Sequence, residues 1–356
     1  MIYTALFLTL VALRFALAQQ PKLRDQVYPA VMVALFIFVA FRLDVGCDWN
    51  GYHRHFMIQL DLELGDALAR REPLWWALVQ MVGKIGLGYP WLNVASAALF
   101  FAGVHALARR QPDRLGVLIL LFPVLIINMP MSGIRQAAAI GVLCFAFVAF
   151  QKGRTAHYAV LTLLAAGFHS SAAAFLLLVP LVGHGRPKAR ILAALLLAGP
   201  GLLLLASGES AQLAVARYVN TGVDAQGAIY RAGMLFLSAV LFLTLLRGPW
   251  QARYPADLRL VTLGAVMMLA TVPLVFVSTV IADRLGYYLV PLQAVVFARI
   301  PYLALGRSSA VLAALPYLAL LLVLTVWSIY SGHFHYCYLP YDTWLTGLPD
   351  LYQSPF

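Results

Sequence analysis

The chain has 356 residues, of which 62% are hydrophobic and only 11% are charged, whereas a soluble domain is closer to half apolar and a quarter charged. Long apolar runs recur along the whole length and do not alternate with polar residues, which excludes a soluble globular domain and a transmembrane β-barrel and predicts an all-α, multi-pass membrane protein. The net charge of +11 does not indicate a nucleic-acid partner, because the basic residues flank the apolar runs, where they act as signals of membrane topology.

The apolar runs predict about twelve transmembrane helices, with short or re-entrant segments among them. The predicted spans are residues 2–18, 28–43, 89–108, 115–131, 133–150, 156–168, 170–184, 189–206, 232–246, 260–281, 285–299 and 309–330. The sequence "ALA" at 16–18 resembles a signal-peptidase site, which leaves a cleaved signal peptide as the alternative for the first span. No positive charge precedes this run, while Lys22 and Arg24 follow it, so a retained span with its N-terminus outside is the favoured interpretation.

Two segments, residues 73–87 and 156–184, decide the topology. With the first in the outer interface and the second divided into two short helices at "GFHSS", the inner loops contain 15 of the 25 Lys and Arg residues and the outer side contains nine. Changing either assignment inverts the loops downstream and removes this bias. The sequence therefore predicts one membrane domain with both termini outside. That domain covers residues 1–356, and its outer face is formed by segments 44–88, 207–231 and 331–356.

The segment "MSGIRQAAAIG" places Arg135 in the first turn of a predicted helix, with Ser132 or Gly133 as its N-cap. A helix N-terminus attracts anions through its free N–H groups and its dipole, so a cation at this position indicates an anion site. The alternative is an arginine that extends to the membrane interface. The small residues that follow, Ala137–Ala139 and Gly141, predict close helix packing.

Three further outer segments contribute basic and aromatic residues. "GFHSS" places His169 at the tip of the short helical pair, as a proton-exchanging group or as a hydrogen-bonded packing residue. "ADRLGYY" places Arg284 at another helix start, with Asp283 as its cap and Tyr288 on the same face. "ARYVNTG" contributes Arg217 and Tyr218.

Arg135, Arg217 and Arg284 come from distant segments but are predicted to lie on one membrane face. Guanidinium groups bind phosphate oxygens in bidentate geometry. A lipid diphosphate is therefore the predicted ligand, with an ordinary interfacial belt as the alternative for each residue taken alone.

The acidic groups come from "VGCDWNGY" at 45–52 and from Glu72, which directly precedes Pro73. Asp48 and Tyr52 share a face if this stretch is helical, and Gly46 permits a chain break or a close backbone approach. The carboxylates are predicted to act as a base or to bind sugar hydroxyls. The alternative is a salt bridge to Arg42, Arg54 or Arg71.

No metal and no cofactor are predicted. "HRH" at 53–55 and "DLE" at 61–63 are short patterns without a complete ligand set, and the sequence has no P-loop, dinucleotide fingerprint or GxSxG motif. Cys47 and Cys337 would form a disulfide if both faced an oxidising compartment, which the sequence leaves open.

The ordered motifs resemble the EpsG-like branch of the Wzy-type polysaccharide polymerases. They are "RLDVGCDWNGY" at 42–52, "REPLWW" at 71–76, "SGIRQAAAIGV" at 132–142, "GFHSSAAAFLL" at 167–177, "RY" at 217–218 and "DRLGYYLVP" at 283–291. The family's first motif usually resembles Gly-Thr-Asp-Tyr, and here it is Gly-Cys-Asp-Trp, so one hydroxyl is lost.

The resemblance implies a glycosyltransferase of the bacterial inner membrane, with a GT-C-like polymerase or ligase architecture. Such enzymes join oligosaccharide repeat units carried on undecaprenyl diphosphate, at the periplasmic or outer face, in exopolysaccharide, capsule or O-antigen assembly. The expected partners are this lipid-linked oligosaccharide, the bilayer, and a chain-length regulator and flippase of the same pathway. The alternatives are an O-antigen-ligase-like transferase, a flippase or transporter of lipid-linked sugars, and a membrane acyltransferase.

The resemblance also suggests roles for the candidate residues. Arg135, Arg217 and Arg284 would bind the diphosphate, and His169 or Asp48 would accept the proton of the attacking hydroxyl while Glu72 orients sugar hydroxyls. The aromatic residues expected to stack on sugar rings are Trp49, Tyr52, Trp75, Trp76, Tyr218 and Tyr288.

Overall fold

The computed structural model describes residues 2–60, 63–183, 192, 225, 227–306 and 309–352. Most of the predicted span 189–206, together with Arg217 and Tyr218, lies outside the described residues. Within the described ranges the regular structure is helical, and a single isolated antiparallel bridge joins Arg42 to Thr343.

The α-helices of the described ranges are numbered in chain order. They are α1 (Ile2–Ala16), α2 (Pro21–Ala40), α3 (Trp49–Gln59), α4 (Leu64–Ala69), α5 (Pro73–Lys84), α6 (Pro90–Ala108), α7 (Arg114–Leu121), α8 (Ile134–Gln151), α9 (Thr155–Phe168), α10 (Ala228–Leu241), α11 (Leu258–Val277), α12 (Thr279–Arg299), α13 (Ser309–Tyr330) and α14 (Gly332–Tyr338). A π-helical turn, Phe122–Ile126, extends α7, and another, Phe242–Leu246, extends α10 into the helical segment Arg247–Arg253. A 3₁₀ helix, Ser170–Leu181, follows α9.

Seven of the described helices are long and apolar enough to cross a membrane, and four apolar helices are shorter. Each predicted span other than 189–206 falls on one of these helices, and the predicted break at "GFHSS" is confirmed because α9 ends at Phe168. The predicted total of twelve spans remains a prediction. Segment 73–87 forms α5, whose 12 residues are too few to cross a bilayer as an α-helix.

Two predicted helix starts are wrong. α2 begins at Pro21 instead of residue 28, because its polar first turns are held by protein contacts such as that from Arg24 Nη2 to the Pro112 carbonyl, 2.9 Å. α12 begins at Thr279 instead of residue 285, since the Ser278 side chain accepts the Ile281 N–H at its N-terminus. Asp283 is therefore an interior residue of α12 and not its cap.

The helices run alternately between two ends of the molecule, and contacts between distant segments define these ends. At the first, called the site face, contacts join Cys47 to Cys337, Asp48 to Ser132, Glu72 to Arg135 and Ser170, and Arg231 to Asp283. At the second, called the basic face, contacts join Arg14 and Arg24 to Asp113, Arg110 to Gln151, Arg299 to Asp257, and Arg259 to the Gly183 carbonyl. Tyr3 donates to the Tyr338 carbonyl, so α1 begins at the site face, where α14 also lies.

The turn between α6 and α7 ties the basic face together. Asp113 accepts from Arg14, 2.9 Å, and caps α7 by accepting the Gly116 N–H, 2.8 Å. Arg299 of α12 donates to Gln111, 2.7 Å. Helices α1, α7 and α12 are thereby fixed relative to one another, which also fixes the position of their ends at the site face.

Helix α8 is the centre of the bundle, with 83% of its residues buried. It packs closely on α6, where a Cβ added to Gly103 would lie 1.8 Å from the carbonyl oxygen of Gly141. This confirms the close packing predicted from its small residues. Arg135 therefore projects from a helix that its neighbours enclose on most sides.

The chain between α2 and α3 crosses the site face beside the entrance to α8. Gly46 has φ +111°, and a Cβ there would lie 1.8 Å from the Met131 carbonyl oxygen, so the predicted close backbone approach is confirmed. Cys47 is joined to Cys337 by a disulfide, and the Gly46 N–H donates to the Cys337 carbonyl, 2.7 Å. These contacts anchor Asp48 relative to α14.

Large aromatic residues are exposed where several helices end at the site face. Tyr230, Phe276, Tyr330 and Tyr336 each have at least 75% of their surface exposed. Aromatic residues concentrate at the two boundaries of a membrane, so these four exposed residues are consistent with one such boundary at the site face.

Candidate functional site

Glu72 is the buried acid at the centre of the site face. It stands at the N-terminus of α5 with φ +65°, a left-handed conformation, directly before Pro73. The α-region is disfavoured before a proline, and the left-handed backbone is uncommon outside glycine. The surrounding contacts hold this conformation, and it directs the carboxylate toward two other segments.

The two carboxylate oxygens of Glu72 bind different partners. Oε2 lies 2.8 Å from Arg135 Nη1, at the start of α8. Oε1 accepts the Ser170 backbone N–H, 2.9 Å, and the Ser170 hydroxyl, 3.1 Å. Glu72 therefore caps the 3₁₀ helix from a position 98 residues away, and it joins three chain segments in one ionic cluster.

Burial acts to raise the pKa of Glu72, but His169, Arg135 and the hydrogen bonds from Ser170 act in the opposite direction and hold the pKa below its ordinary value. Glu72 is thus ionised near neutral pH, and every hydrogen bond that it makes stabilises the charged form. This favours a role in holding cations and donors over a role as a proton acceptor.

Arg135 divides its guanidinium between two neighbours. Nη1 binds Glu72, and Nε donates to the Tyr52 hydroxyl, 3.3 Å, whose ring lies 5.6 Å from the guanidinium carbon. About a third of the side chain, 32%, is exposed. The planar group is therefore held in a fixed orientation at a helix N-terminus and remains open to an incoming anion.

His169 lies at the break between α9 and the 3₁₀ helix and is buried. Its Nδ1 is 2.7 Å from the Ser171 hydroxyl, which donates to the Tyr288 hydroxyl at 3.2 Å. A hydroxyl that donates to Tyr288 can accept from Nδ1–H, and this tautomer leaves the lone pair on Nε2. Burial is the main cause that lowers the pKa of His169 to about 4, so the ring is neutral near pH 7.

Arg284 joins the same cluster from α12. Its carbonyl accepts from Gln136 Nε2, 2.6 Å, next to Arg135 in the chain. Its positive charge acts to lower the pKa of His169, and Tyr288, one turn further along α12, contacts His169 through its hydroxyl. The predicted common face of Arg284 and Tyr288 is consistent with this arrangement.

The family model for EpsG matches residues 26–343, which is nearly the whole chain. The chain belongs to the EpsG family. This is a family of Wzy-like polysaccharide polymerases, so the chain is a multi-pass membrane protein of the polysaccharide polymerase type. No curated protein and no solved structure matches the chain.

In this EpsG-family protein, Asp48 lies apart from the Glu72 cluster, on the other side of the α8 entrance. It is exposed, and it accepts from the Ser132 hydroxyl at 3.3 Å while its own N–H donates to the same oxygen. Asp48 is also the residue before α3, with the Tyr52 N–H bonded to its carbonyl. The two predicted acids therefore flank Arg135 from two directions.

The aromatic candidates divide into buried and partly exposed rings. Trp49 and Trp75 are each only 2% exposed, and Trp49 donates to the Tyr352 hydroxyl, 3.2 Å. Tyr52 and Trp76 are partly exposed. Tyr52 touches both Arg135 and the ring of Trp75, so the buried Trp75 packs against the ring that contacts Arg135.

Several residues that the sequence offered as salt-bridge partners or metal ligands make other contacts in the structure. Among the described residues, the partners of Arg42 are the carbonyls of Val39, Val45 and Met131 and the side chain of Asn93, and no acid pairs with it. His53 of the "HRH" motif packs between the rings of Tyr89 and Tyr352. In "DLE", Asp61 lies outside the described residues. The only grouping of three metal-ligand types among the described residues, Cys47, His333 and Cys337, contains the disulfide.

The sequence did not predict the contact of Arg71 with Ser170 or the pairing of Arg231 with Asp283. Arg71, which precedes Glu72 in the chain, also belongs to the Glu72 cluster, because its Nη2 donates to the Ser170 hydroxyl, 2.9 Å. The available signal was the adjacency of Arg71 and Glu72 in "REPLWW", together with two serines in "GFHSS". Neither motif alone indicates that the two segments meet.

Replacing Glu72 by glutamine is expected to destabilise the fold, because it leaves Arg135 and the Ser170 N–H without their carboxylate. Removing one partner of a buried pair costs about 3–5 kcal/mol, and the partial exposure of Arg135 reduces this to about 2 kcal/mol. Thermal unfolding in detergent would measure it, with the exposed Glu63→Gln as the matched control. The Glu72→Gln/Arg135→Gln double variant should be more stable than the sum of the two single changes. Equal melting temperatures for Glu72→Gln and wild type would contradict the cluster.

Proposed function

We propose that this protein is a glycosyltransferase that joins oligosaccharide repeat units carried on undecaprenyl diphosphate, at the site face. In this proposal the site face lies on the periplasmic or outer side of a bacterial inner membrane. A chain-length regulator and a flippase of the same pathway are the proposed protein partners.

Two features support the orientation. The turns at the basic face are rich in Lys and Arg, including Arg109, Arg110 and Arg114 between α6 and α7, and such residues are retained on the cytoplasmic side. The site face also contains a disulfide, and disulfides form and persist in oxidising compartments. Both features favour a site that faces away from the cytoplasm.

The proposed reaction is displacement at an anomeric carbon. A hydroxyl oxygen of the acceptor unit forms a bond to the anomeric carbon of the donor chain, and the bond from that carbon to the diphosphate oxygen breaks. The electron pair leaves on the diphosphate, and the hydroxyl proton passes to a base. The leaving group is activated in advance, so the step requires neither a nucleotide nor an obligate metal.

Arg135 and Arg284, with Arg217 as a further candidate, would stabilise the charge that develops on the diphosphate, since preorganised donors in a partly dry site have a large effect. His169 Nε2 is the favoured proton acceptor because the ring is neutral at pH 7. Asp48 is the alternative. Glu72 would hold Arg135 in position and accept hydrogen bonds from sugar hydroxyls, and Tyr52 and Trp76 would contact sugar rings.

The observation that carries the proposal is the placement of Arg135. Its guanidinium is fixed by Glu72 and Tyr52 at the N-terminus of a helix that is 83% buried. The same Glu72 carboxylate binds Ser170, the residue next to His169. A salt bridge with only a structural role would not need a helix N-terminus, an exposed guanidinium edge and a neutral imidazole in one cluster.

The test is polymer formation in a strain that lacks the gene. Wild type, Arg135→Ala, His169→Ala and Asp48→Ala would be expressed at matched levels, with the exposed Arg54→Ala as the control on the same face. We expect ladders on a gel from wild type and Arg54→Ala, and single lipid-linked units on the outer face from the site variants. Units that accumulate on the inner face would identify a flippase, and single units transferred intact to another acceptor would identify a ligase. Normal polymer from all three site variants would refute the site.

A further inference from the structure

The disulfide of the site face has a histidine beside both of its sulfur atoms. Cys47 is exposed, whereas Cys337 of α14 is buried. His333, one turn earlier in α14 and also exposed, places Nδ1 3.5 Å from Cys47 Sγ and 3.8 Å from Cys337 Sγ. The bridge is therefore open to solvent on its Cys47 side and has an imidazole in contact with both sulfurs.

His333 can bind the two sulfur atoms in one sense only. A disulfide sulfur carries no S–H, so Nδ1–H of the imidazole is the donor and the sulfur is a weak acceptor. When a disulfide breaks, one sulfur leaves as a thiolate, and a hydrogen bond to an ionised group is about twice as strong as one between neutral groups. Disulfides exchange faster when the leaving thiolate is stabilised. His333 thus favours the opened bridge, which a disulfide with only a structural role does not need.

The bridge restrains the loop that carries Asp48. Asp48 directly follows Cys47, and its carboxylate accepts from the Ser132 hydroxyl, 3.3 Å, at the entrance to α8. The disulfide ties the residue before Asp48 to α14, which lies 290 positions further along the chain. It therefore limits how far Asp48 can move from Ser132, and hence from Arg135 in the first turn of α8.

Other contacts hold the same two chain segments together without the bridge. The Leu43 N–H donates to the Asp342 carbonyl, 2.9 Å, and the Trp344 N–H donates to the Phe41 carbonyl, 3.0 Å. These backbone bonds join the C-terminal segment to the end of α2, before the loop begins. Breaking the disulfide therefore loosens residues 44–48 and leaves the contact between α2 and the C-terminal segment in place.

We propose that Cys47, Cys337 and His333 form a thiol–disulfide exchange site, which an external dithiol opens and which controls the position of Asp48. A thiolate of the dithiol forms a bond to Cys47 Sγ as the bond between the two cysteines breaks. The electron pair goes to Cys337 Sγ, which accepts from His333 Nδ1–H. The second thiolate of the dithiol then bonds to the first sulfur of the dithiol and releases Cys47 as a thiolate. The dithiol is oxidised to a disulfide, and the two protein thiolates each take up a proton.

The exchange site is independent of the proposed function, whereas its effect on polymer synthesis rests on that function. In the opened form the Gly46 N–H can still donate to the Cys337 carbonyl, a bond of 2.7 Å in the closed form, so the loop is displaced and not lost. A misplacement of about 1 Å can cost about 100-fold in rate, and with this contact retained we expect polymer synthesis to be slower by about 10-fold.

The purified full chain would be treated with dithiothreitol in detergent, labelled with N-ethylmaleimide and weighed by mass spectrometry. We expect wild type to gain two labels while folded. The buried Cys144 is the internal control, because a third label marks unfolding. His333→Asn should open more slowly by about 10-fold, the low end of what a hydrogen bond to a charged group contributes. His335→Asn, an exposed histidine of the same helix, should open at the wild-type rate.

A bridge that opens only together with labelling of Cys144 would overturn the exchange site, as would equal opening rates for His333→Asn and wild type. The Cys47→Ser/Cys337→Ser variant should make polymer at the rate of dithiothreitol-treated wild type and should not respond to dithiothreitol, and reoxidation should restore the wild-type rate. Full polymer synthesis by both opened forms would overturn the control of Asp48. If no form made polymer, the proposed function would fail, and opening that depends on His333 would still support the exchange site.

Discussion

Replacing Arg135 by glutamine is expected to lower polymer synthesis by at least about 100-fold, which is the usual effect of removing one preorganised donor from a developing anion. The guanidinium is held by Glu72 and Tyr52, so little reorganisation is needed when the diphosphate leaves. Glutamine keeps a hydrogen-bond donor but loses both the charge and the planar fork. The measurement is the initial rate of polymer formation in membranes with matched protein levels.

Arg135→Lys distinguishes charge from geometry at this position. Lysine preserves the ion pair with Glu72 but presents a point charge in place of a fork, so we expect an intermediate rate and near-normal thermal stability. Arg54→Gln, on the exposed side of α3, should behave as wild type. A rate for Arg135→Gln within threefold of wild type, with the protein folded, would remove Arg135 from the reaction and leave it a structural residue.

The sequence predicts the helical fold, because apolar length is a property of short windows. The side of the membrane that the basic-residue bias assigns to the site remains a prediction. The sequence predicts helix ends less well. Helix α12 begins at Thr279, six residues before the predicted start of residue 285, because its first turn, "TVIA" at 279–282, continues the apolar pattern of the preceding span. An apolar run alone does not show at which residue one helix ends and the next begins.

The sequence predicts individual residues of the site but not which of them contact one another. Glu72, Arg135 and His169 were each singled out, and the structure brings them together through Ser170. The acid was expected to pair, if at all, with Arg42, Arg54 or Arg71, all of which are closer in the chain. The actual partner is 63 residues away, and it is reached because Glu72 adopts a left-handed backbone conformation that no sequence window indicates.

The same reason explains why the pairing of Arg231 with Asp283 was missed. Asp283 has the composition of a helix cap, followed by "RLGYY", and nothing local distinguishes a cap from the second turn of a helix that began at Thr279. Once the helix begins earlier, Asp283 and Arg284 belong to different sides of α12. Residues of this one sequence motif then make contacts on two sides of the helix, Asp283 with Arg231 and Tyr288 with His169.

His169 is expected to act in its neutral form, so the acid limb of polymer synthesis that it causes should lie near pH 4 and not near 6.5. Burial is the main cause of the low pKa, about 4, with the charges of Arg284, Arg135 and Arg71 acting in the same direction and Glu72 opposing them. A base this weak is far from the operating pH, so its contribution falls at the low end of general base catalysis, about 100-fold. Between pH 6 and 8 the titration of His169 should not change the wild-type rate. Throughout that range His169→Gln should be slower than wild type by this factor.

The same pKa makes a separate prediction for stability. The unfolded chain binds a proton at His169 near pH 6.5 and the folded chain only near pH 4, so stability is complete above pH 6.5 and declines as the pH falls between these values. The decline at pH 5 is about 2 kcal/mol, from about 1.4 kcal/mol per pH unit. Thermal unfolding of wild type and His169→Asn in detergent at pH 7.5 and pH 5 would measure it, and the variant should lose less stability on acidification. An acid limb near pH 6.5 in wild type that disappears in His169→Asn would show instead that the imidazole is solvated, and its place in a buried proton-accepting site would then be wrong.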